Sequence, residues 1–158
     1  MNPRTHDIGA YIKAVIPAIT GVSIASSTAS GVEINGHSFD RLGETYLYRS
    51  GVACFGVAAT LAAAATVSVV ANFQDSTNAS TWADYGSTYA SVVLGATDST
   101  AAQTVRDCAQ FDVDLGAARR YVRVQVTPTL SDPTSTSDVV TFSGILVVGG
   151  PPVLSSTN

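Results

Sequence analysis

The sequence predicts an all-β fold, an antiparallel β-sandwich of jelly-roll-like form with about eight strands. Three observations carry that expectation. Val122, Val124 and Val126 alternate with Tyr121, Arg123, Gln125 and Thr127, the period-two pattern of a strand with one buried face. Val67, Val69, Ala71 and Phe73 alternate in the same way with Thr66, Ser68, Val70 and Asn72. Turn residues recur at short intervals, and no segment carries the spacing of an amphipathic helix. A chain of 158 residues fits one domain, and a fold of that size buries roughly 70% of the surface its unfolded chain exposes.

Residues 1–37 are expected to form an extended N-terminal arm or peripheral hairpin. Ile8, Tyr11, Ile12, Val15, Ile16 and Ile19 fit a short helix or a strand stopped by Pro17, and Lys13 interrupts what would be the apolar core of a signal peptide. Gly21 to Ser38 is rich in Ser, Thr and Gly, and Asn35-Gly36 is a turn signal because both residues tolerate positive φ.

Residues 38–149 hold the sandwich. Strand candidates are Thr45–Tyr48, Val52–Ala59, Thr66–Phe73, Tyr89–Leu94 and Val139–Val148. A further pair runs through Phe111–Thr127, turning at Leu115-Gly116-Ala117-Ala118, and Pro128 and Pro133 mark a loop after it. Val52 to Ala71 is uncharged for 20 residues, long enough for a membrane helix. Its Ala, Thr, Ser and Gly content contributes little transfer energy, so two strands joined near Leu61 to Ala65 explain it better and no membrane partner is expected. Residues 150–158, beginning Gly150-Pro151-Pro152, are expected to form an extended tail.

Only 13% of residues are charged, about half the usual share. Such a surface suits a protein that spends its life against another surface. The net charge of −4 argues against a sequence-independent grip on nucleic acid. Cys54 and Cys108 are too few for a disulfide framework and are expected as free, mostly buried thiols.

The residues for chemistry are sparse. His6 and His37 lack a convincing partner, although Asp40 lies near His37 in sequence, and no nucleophile elbow, phosphate-cradling loop or zinc-binding pair occurs. No enzyme activity, cofactor or metal is expected. The oxygen-rich loops Asp75–Asn78, Asp98–Thr100 and Asp132–Asp138 are assigned to turn chemistry ahead of calcium.

Arg119, Arg120 and Arg123 place three of the eight basic side chains in one short stretch. They either pair within the chain, with Asp112 and Asp114 across a hairpin, or contact an acidic partner surface, where an arginine fork binds carboxylates well. Trp82, Phe111 and Tyr121 are the expected core anchors, since large rings bury much apolar area.

Several segments in order resemble small tailed-phage head proteins: Ser38-Phe39-Asp40-Arg41-Leu42-Gly43, Tyr48 to Val52, Val69 to Ser76 ending Gln-Asp-Ser, Thr81-Trp82-Ala83-Asp84, and Ala118 to Val124. The similarity spans roughly residues 38–148. It departs from the pattern after Gln-Asp-Ser, where Thr77-Asn78-Ala79 replaces an Asp-Gly turn. The resemblance implies a capsid decoration (cement) protein, assembled in the host cytoplasm and placed on the virion exterior, with the major capsid protein as partner and a dimer or trimer as the unit. Two other readings remain open from sequence. One is a carbohydrate-binding jelly roll using Trp82, Tyr85 and Tyr89; the other is a head-tail or tail component.

Overall fold

The computed structural model describes residues 12–25, 30–43, 47–97, 100–132 and 137–150, without the side chains of 16–18 and 20. His6, Thr45, Asp98, Pro133 and the tail beyond Gly150 lie outside them, and so does any expectation that rests on those positions.

Ten strands occur among the described residues. In chain order they are β1 (Ile12–Ala25), β2 (Ile34–Asn35), β3 (Phe39–Asp40), β4 (Ser50–Leu61), β5 (Thr66–Ser76), β6 (Ala83–Asp84), β7 (Val92–Ala96), β8 (Gln103–Asp114), β9 (Tyr121–Leu130) and β10 (Val139–Gly149). They form two antiparallel sheets. Sheet A has the order β1-β10-β4-β8; in sheet B, β9 lies between β2 with β3 and β5, and β5 carries β6 and β7 on its far side.

The pairing is nested. β1 pairs with β10, β2 and β3 with β9, β4 with β8, and β5 with β6 and β7. A chain that pairs its two ends, then the next strands inward, is one long hairpin rolled up, and that is a jelly roll. The count differs from eight because two strand positions are each split. Between Asn35 and Phe39 the chain takes four steps while β9 takes three, from Gln125 to Val122. That one-residue excess divides β2 from β3. The Asn35-Gly36 pair therefore does not reverse the chain: Gly36 N donates to Val124 O and the segment continues along β9.

The rolled hairpin explains why β4 and β5, consecutive and both apolar, lie in different sheets. Their junction is Ala62–Ala65, where Ala64 takes a positive φ of 58°. Inward positions alternate on both strands, as expected for Val67, Val69, Ala71 and Phe73 of β5, and on β4 with Ala53, Phe55, Val57, Ala59 and Leu61 buried. No helix long and apolar enough to cross a membrane exists among the described residues.

The sequence expectation fails at other junctions. Leu115–Ala118 does not make a hairpin, because β8 belongs to sheet A and β9 to sheet B. Pro128 lies inside β9, opposite Val69. Its carbonyl accepts from Gly31 N at 2.8 Å, so the side lacking a donor faces away from β5, where the ladder does not need it. Part of the expected arm is strand β1, whose Ile19 and Ile24 reach the core. Pro17 falls between Val15 and Ile19, where the register with β10 shifts, and β1 is an edge strand that tolerates a missing donor.

A line of rings crosses the sandwich. Phe142 stacks on Phe55 at 5.3 Å, Phe55 meets Phe111 at 6.1 Å, Phe111 meets Tyr89 at 5.4 Å, and Tyr89 meets Phe73 edge-on at 5.8 Å. Phe111 is thus a core residue, 3% exposed. Gly144 faces the Phe55 ring across the ladder, and a Cβ there would collide with that ring and stand 3.2 Å from Cys54 O. Gly56, on the opposite face of β4, has nothing within 4 Å of a Cβ. Gly144→Ala is expected to lower unfolding free energy by about 1–3 kcal/mol. Gly56→Ala, whose Cβ meets nothing in its own chain, should not share that loss. Urea denaturation of the two variants checks the contrast.

Candidate functional site

The loops at one end of the sandwich carry Arg41, Arg49, Arg119 and Arg120 of the described arginines, and Arg41 organises them. It follows β3 directly and is 3% exposed. Its Nη1 donates to Ala118 O and, at 3.2 Å, to Arg119 O; its Nη2 donates to Tyr48 O at 3.1 Å. Arg41 N also donates to Arg120 O at 2.9 Å. A buried guanidinium therefore satisfies carbonyls that no ladder reaches and pins the 115–120 segment to residues 41–48. Burial lowers the Arg41 pKa below its ordinary value, with the charges of Tyr85 and Asp75 acting the other way. Sequence reading named this residue only within the phage-head-like segment Ser38 to Gly43 and gave it no role of its own.

Each predicted arginine finds an intramolecular partner, and none is the expected Asp112 or Asp114. Arg120 makes a two-pronged pair with Asp40, Nε to Oδ1 at 3.0 Å and Nη2 to Oδ2 at 2.8 Å, and its guanidinium lies 4.9 Å from the Tyr121 ring centre. Arg119 donates its backbone N–H to Asp75 Oδ2 at 2.9 Å, while its Nε stands 3.7 Å from Oδ1. Arg123 donates Nε and Nη2 to Gln74 Oε1 at 2.9 and 2.7 Å. The partners differ from expectation because β8 and β9 do not pair: β9 faces β3 and β5, whose acids and amides come into reach.

The side chains of Arg119 and Arg120 remain 51% and 46% exposed. Beside them Leu42 is 63% exposed and Leu47 38%. These residues border a shallow cavity of about 230 Å³ floored by Arg41, Gly116 and Ala118. The end thus combines two exposed leucines with two half-exposed guanidinium groups on a loop held by a buried one.

Trp82 is not in the core. It is half-buried on the outer side of sheet B, with the Arg123 guanidinium 4.4 Å from its ring centre. Burial lowers the Arg123 pKa. Gln74 Nε2 and Asn72 Nδ2 both donate to Asp84 Oδ1, at 3.0 and 2.7 Å, and hold that carboxyl below its ordinary range. Tyr121 is likewise only partly buried. Trp82, Tyr85 and Tyr89 do not form a common platform: Tyr85 Oη donates to Asp114 O at 2.7 Å, and Tyr89 belongs to the ring line of the core.

The loop after β5 spends its oxygens on its own backbone. Asn78 Oδ1 accepts from Ser80 N and Thr81 N, Ser76 Oγ accepts from Asn78 N and Ala79 N, and Ala79 takes a φ of 59°. No group of three or more His, Cys, Asp or Glu side chains suited to a metal ion exists among the described residues. His37 is exposed and shares a cavity of about 490 Å³ with Lys13, Phe39 and Asp40, whose carboxylate is held by Arg120.

No protein family and no curated protein matches the chain. Among solved structures, that of turnip yellow mosaic virus is similar over 93% of this chain and 85% of that one, at 13% identity and a TM-score of 0.31. A likeness of that degree carries no functional inference.

Two outcomes test the site's construction. Arg41→Met keeps the stem and removes the donors, so it is expected to cost about 2–4 kcal/mol and to raise amide exchange across residues 115–120. Asp40 is held below its ordinary pKa, first by the hydrogen bond from Arg120. A depressed carboxyl stabilises the fold above its unfolded pKa of about 4 and loses that contribution as pH falls through the folded value. Arg120→Ala should therefore narrow the stability advantage of neutral over acidic pH, read from melting temperature between about pH 2 and pH 7.

Proposed function

We propose that the protein is a non-catalytic structural component of a virion, a decoration protein that sits on the outside of a tailed-phage capsid and clamps neighbouring subunits of the major capsid protein. The observation that carries this reading is the arginine-and-leucine end. Exposed Leu42 and Leu47 offer apolar area, and Arg119 and Arg120 stand beside them with half of each side chain open to solvent. A partner surface that brings carboxylates around an apolar patch would complement both. Arg41 fixes the loop from below, so little ordering is left to be done on binding.

Composition and resemblance support the same reading. A surface poor in charge suits prolonged contact with another protein, and weak contacts repeated over many copies on a shell add up to firm attachment. The phage-head-like segments around Asp40, Arg41 and Arg119 to Tyr121 are the ones that meet at this end.

The test is co-sedimentation with undecorated, expanded phage heads. The parent protein is expected to pellet with them. Arg119→Glu and Leu42→Asp should each weaken binding about tenfold or more, while Arg106→Glu on β8, away from this end, should not. Failure of the parent to pellet, or equal loss with Arg106→Glu, would sink the assignment of this end as the contact.

A further inference from the structure

The outer faces of the two sheets differ in kind. Sheet B presents a polar row in which Gln125 reaches Asn35, and Arg123, Gln74, Asp84 and Asn72 are linked. Sheet A presents no charge at its centre: the outward positions of β10 from Val139 to Val147 and of β4 from Val52 to Thr60 are all uncharged. Arg106 and Asp112 stand at its margin on β8.

At the middle of this face lies a shallow dent of about 510 Å³, crossing all four strands. Gly21 of β1 and Gly56 of β4 help to form it, and neither has a neighbour within 4 Å of a Cβ nor a positive φ. The packing and backbone of the single chain therefore do not require glycine at either place. Glycine inside a strand is unfavourable, and it often marks close approach by another backbone. On the rim of the dent, as one of its lining residues, stands Ile145, opposite Cys54, one diagonal step from Gly56, and 38% exposed.

We infer that two copies of the chain pair through the outer faces of sheet A, with Ile145 of each seated in the glycine dent of the other. A knob and a hole adjacent on one patch are what a two-fold interface needs, because the same surface must complement itself. A different partner would require only one of the two. Four strands about 4.8 Å apart and roughly eleven residues long give a face of about 700 Å², close to the 800 Å² or so that each partner buries in a stable complex. An uncharged centre with charges at the margin matches the anatomy of such interfaces. This pairing goes beyond the proposed shell contact and stands independently of it, since that contact uses a different surface.

Cys108 lines the dent and is exposed in the single chain, so its thiol reports on the face. The experiment uses the full chain in light scattering over a range of concentrations, together with the rate at which a thiol reagent labels Cys108. The parent is expected at twice the chain mass of 16.2 kDa. Gly56→Lys should run at the single-chain mass with an unchanged circular dichroism spectrum and a melting temperature that no longer rises with protein concentration, and its Cys108 should label roughly tenfold faster or more. Ile145→Lys provides a second break from the knob side. A parent that stays single up to about 1 mM, a mass other than two chains, or a dimer indifferent to Gly56→Lys overturns the inference. A single chain whose Cys108 becomes protected only on phage heads gives this face to the shell and overturns it too.

Discussion

Phe55 lies flat against Phe142 because position 144, directly across the ladder, has no side chain to occupy the place of its ring. That vacancy starts the line of rings that runs through Phe111 and Tyr89 to Phe73 and so ties sheet A to sheet B. An aromatic ring laid over a cross-strand glycine protects the backbone there and stiffens the pair. Everything placed on the loops depends on this seam, since loops inherit their geometry from the sheets that hold their ends. Tyr89 also carries the seam outside the regular strands: its N–H donates to Ala71 O at 3.0 Å, extending β5's hydrogen bonding between β6 and β7.

Alternation in the sequence reports which side of a strand faces the core; at β5 it did so residue by residue from Thr66 to Phe73, while on β9 the outward Gln125 is buried as well. It carries no information about which strand lies alongside. Arg119, Arg120 and Arg123 were therefore visible as a group while their partners were not: Asp112 and Asp114 are close in sequence, but Asp40, Asp75 and Gln74 are the groups that nested pairing brings close in space. Trp82 failed for a related reason. Ring size argues for burial, yet an arginine presented at the same height on β9 gave the indole a covered position outside the core. Leu42 and Leu47 could not have been flagged, because apolar residues near a strand look the same whether they point in or out.

The buried arginine and the exposed ones do different work on the same loop. Arg41 spends its donors on main-chain carbonyls, which fixes where residues 118–120 stand. Arg120 is matched by Asp40, so its charge is largely answered within the chain. Arg119 has its carboxylate at a looser 3.7 Å and more of its side chain in solvent. A surface built this way is positive only in part, and its recognition rests on placement as much as on charge.

Nested pairing also fixes an order of events during synthesis. Ile12 lies opposite Gly149, so the first described strand finds its neighbour only once the polypeptide has been made as far as β10. Until then β1 has no ladder, and its apolar Ile19 and Ile24 have no roof. Closure over so long a loop is slow compared with forming a local hairpin. The inner pairs, β5 with β6 and β7 and β4 with β8, span far less chain and can close first. The growing polypeptide thus spends its youth as a half-built roll with an unpaired edge. The proline and the register breaks in β1 make that strand a poor template for joining a neighbouring chain while it waits.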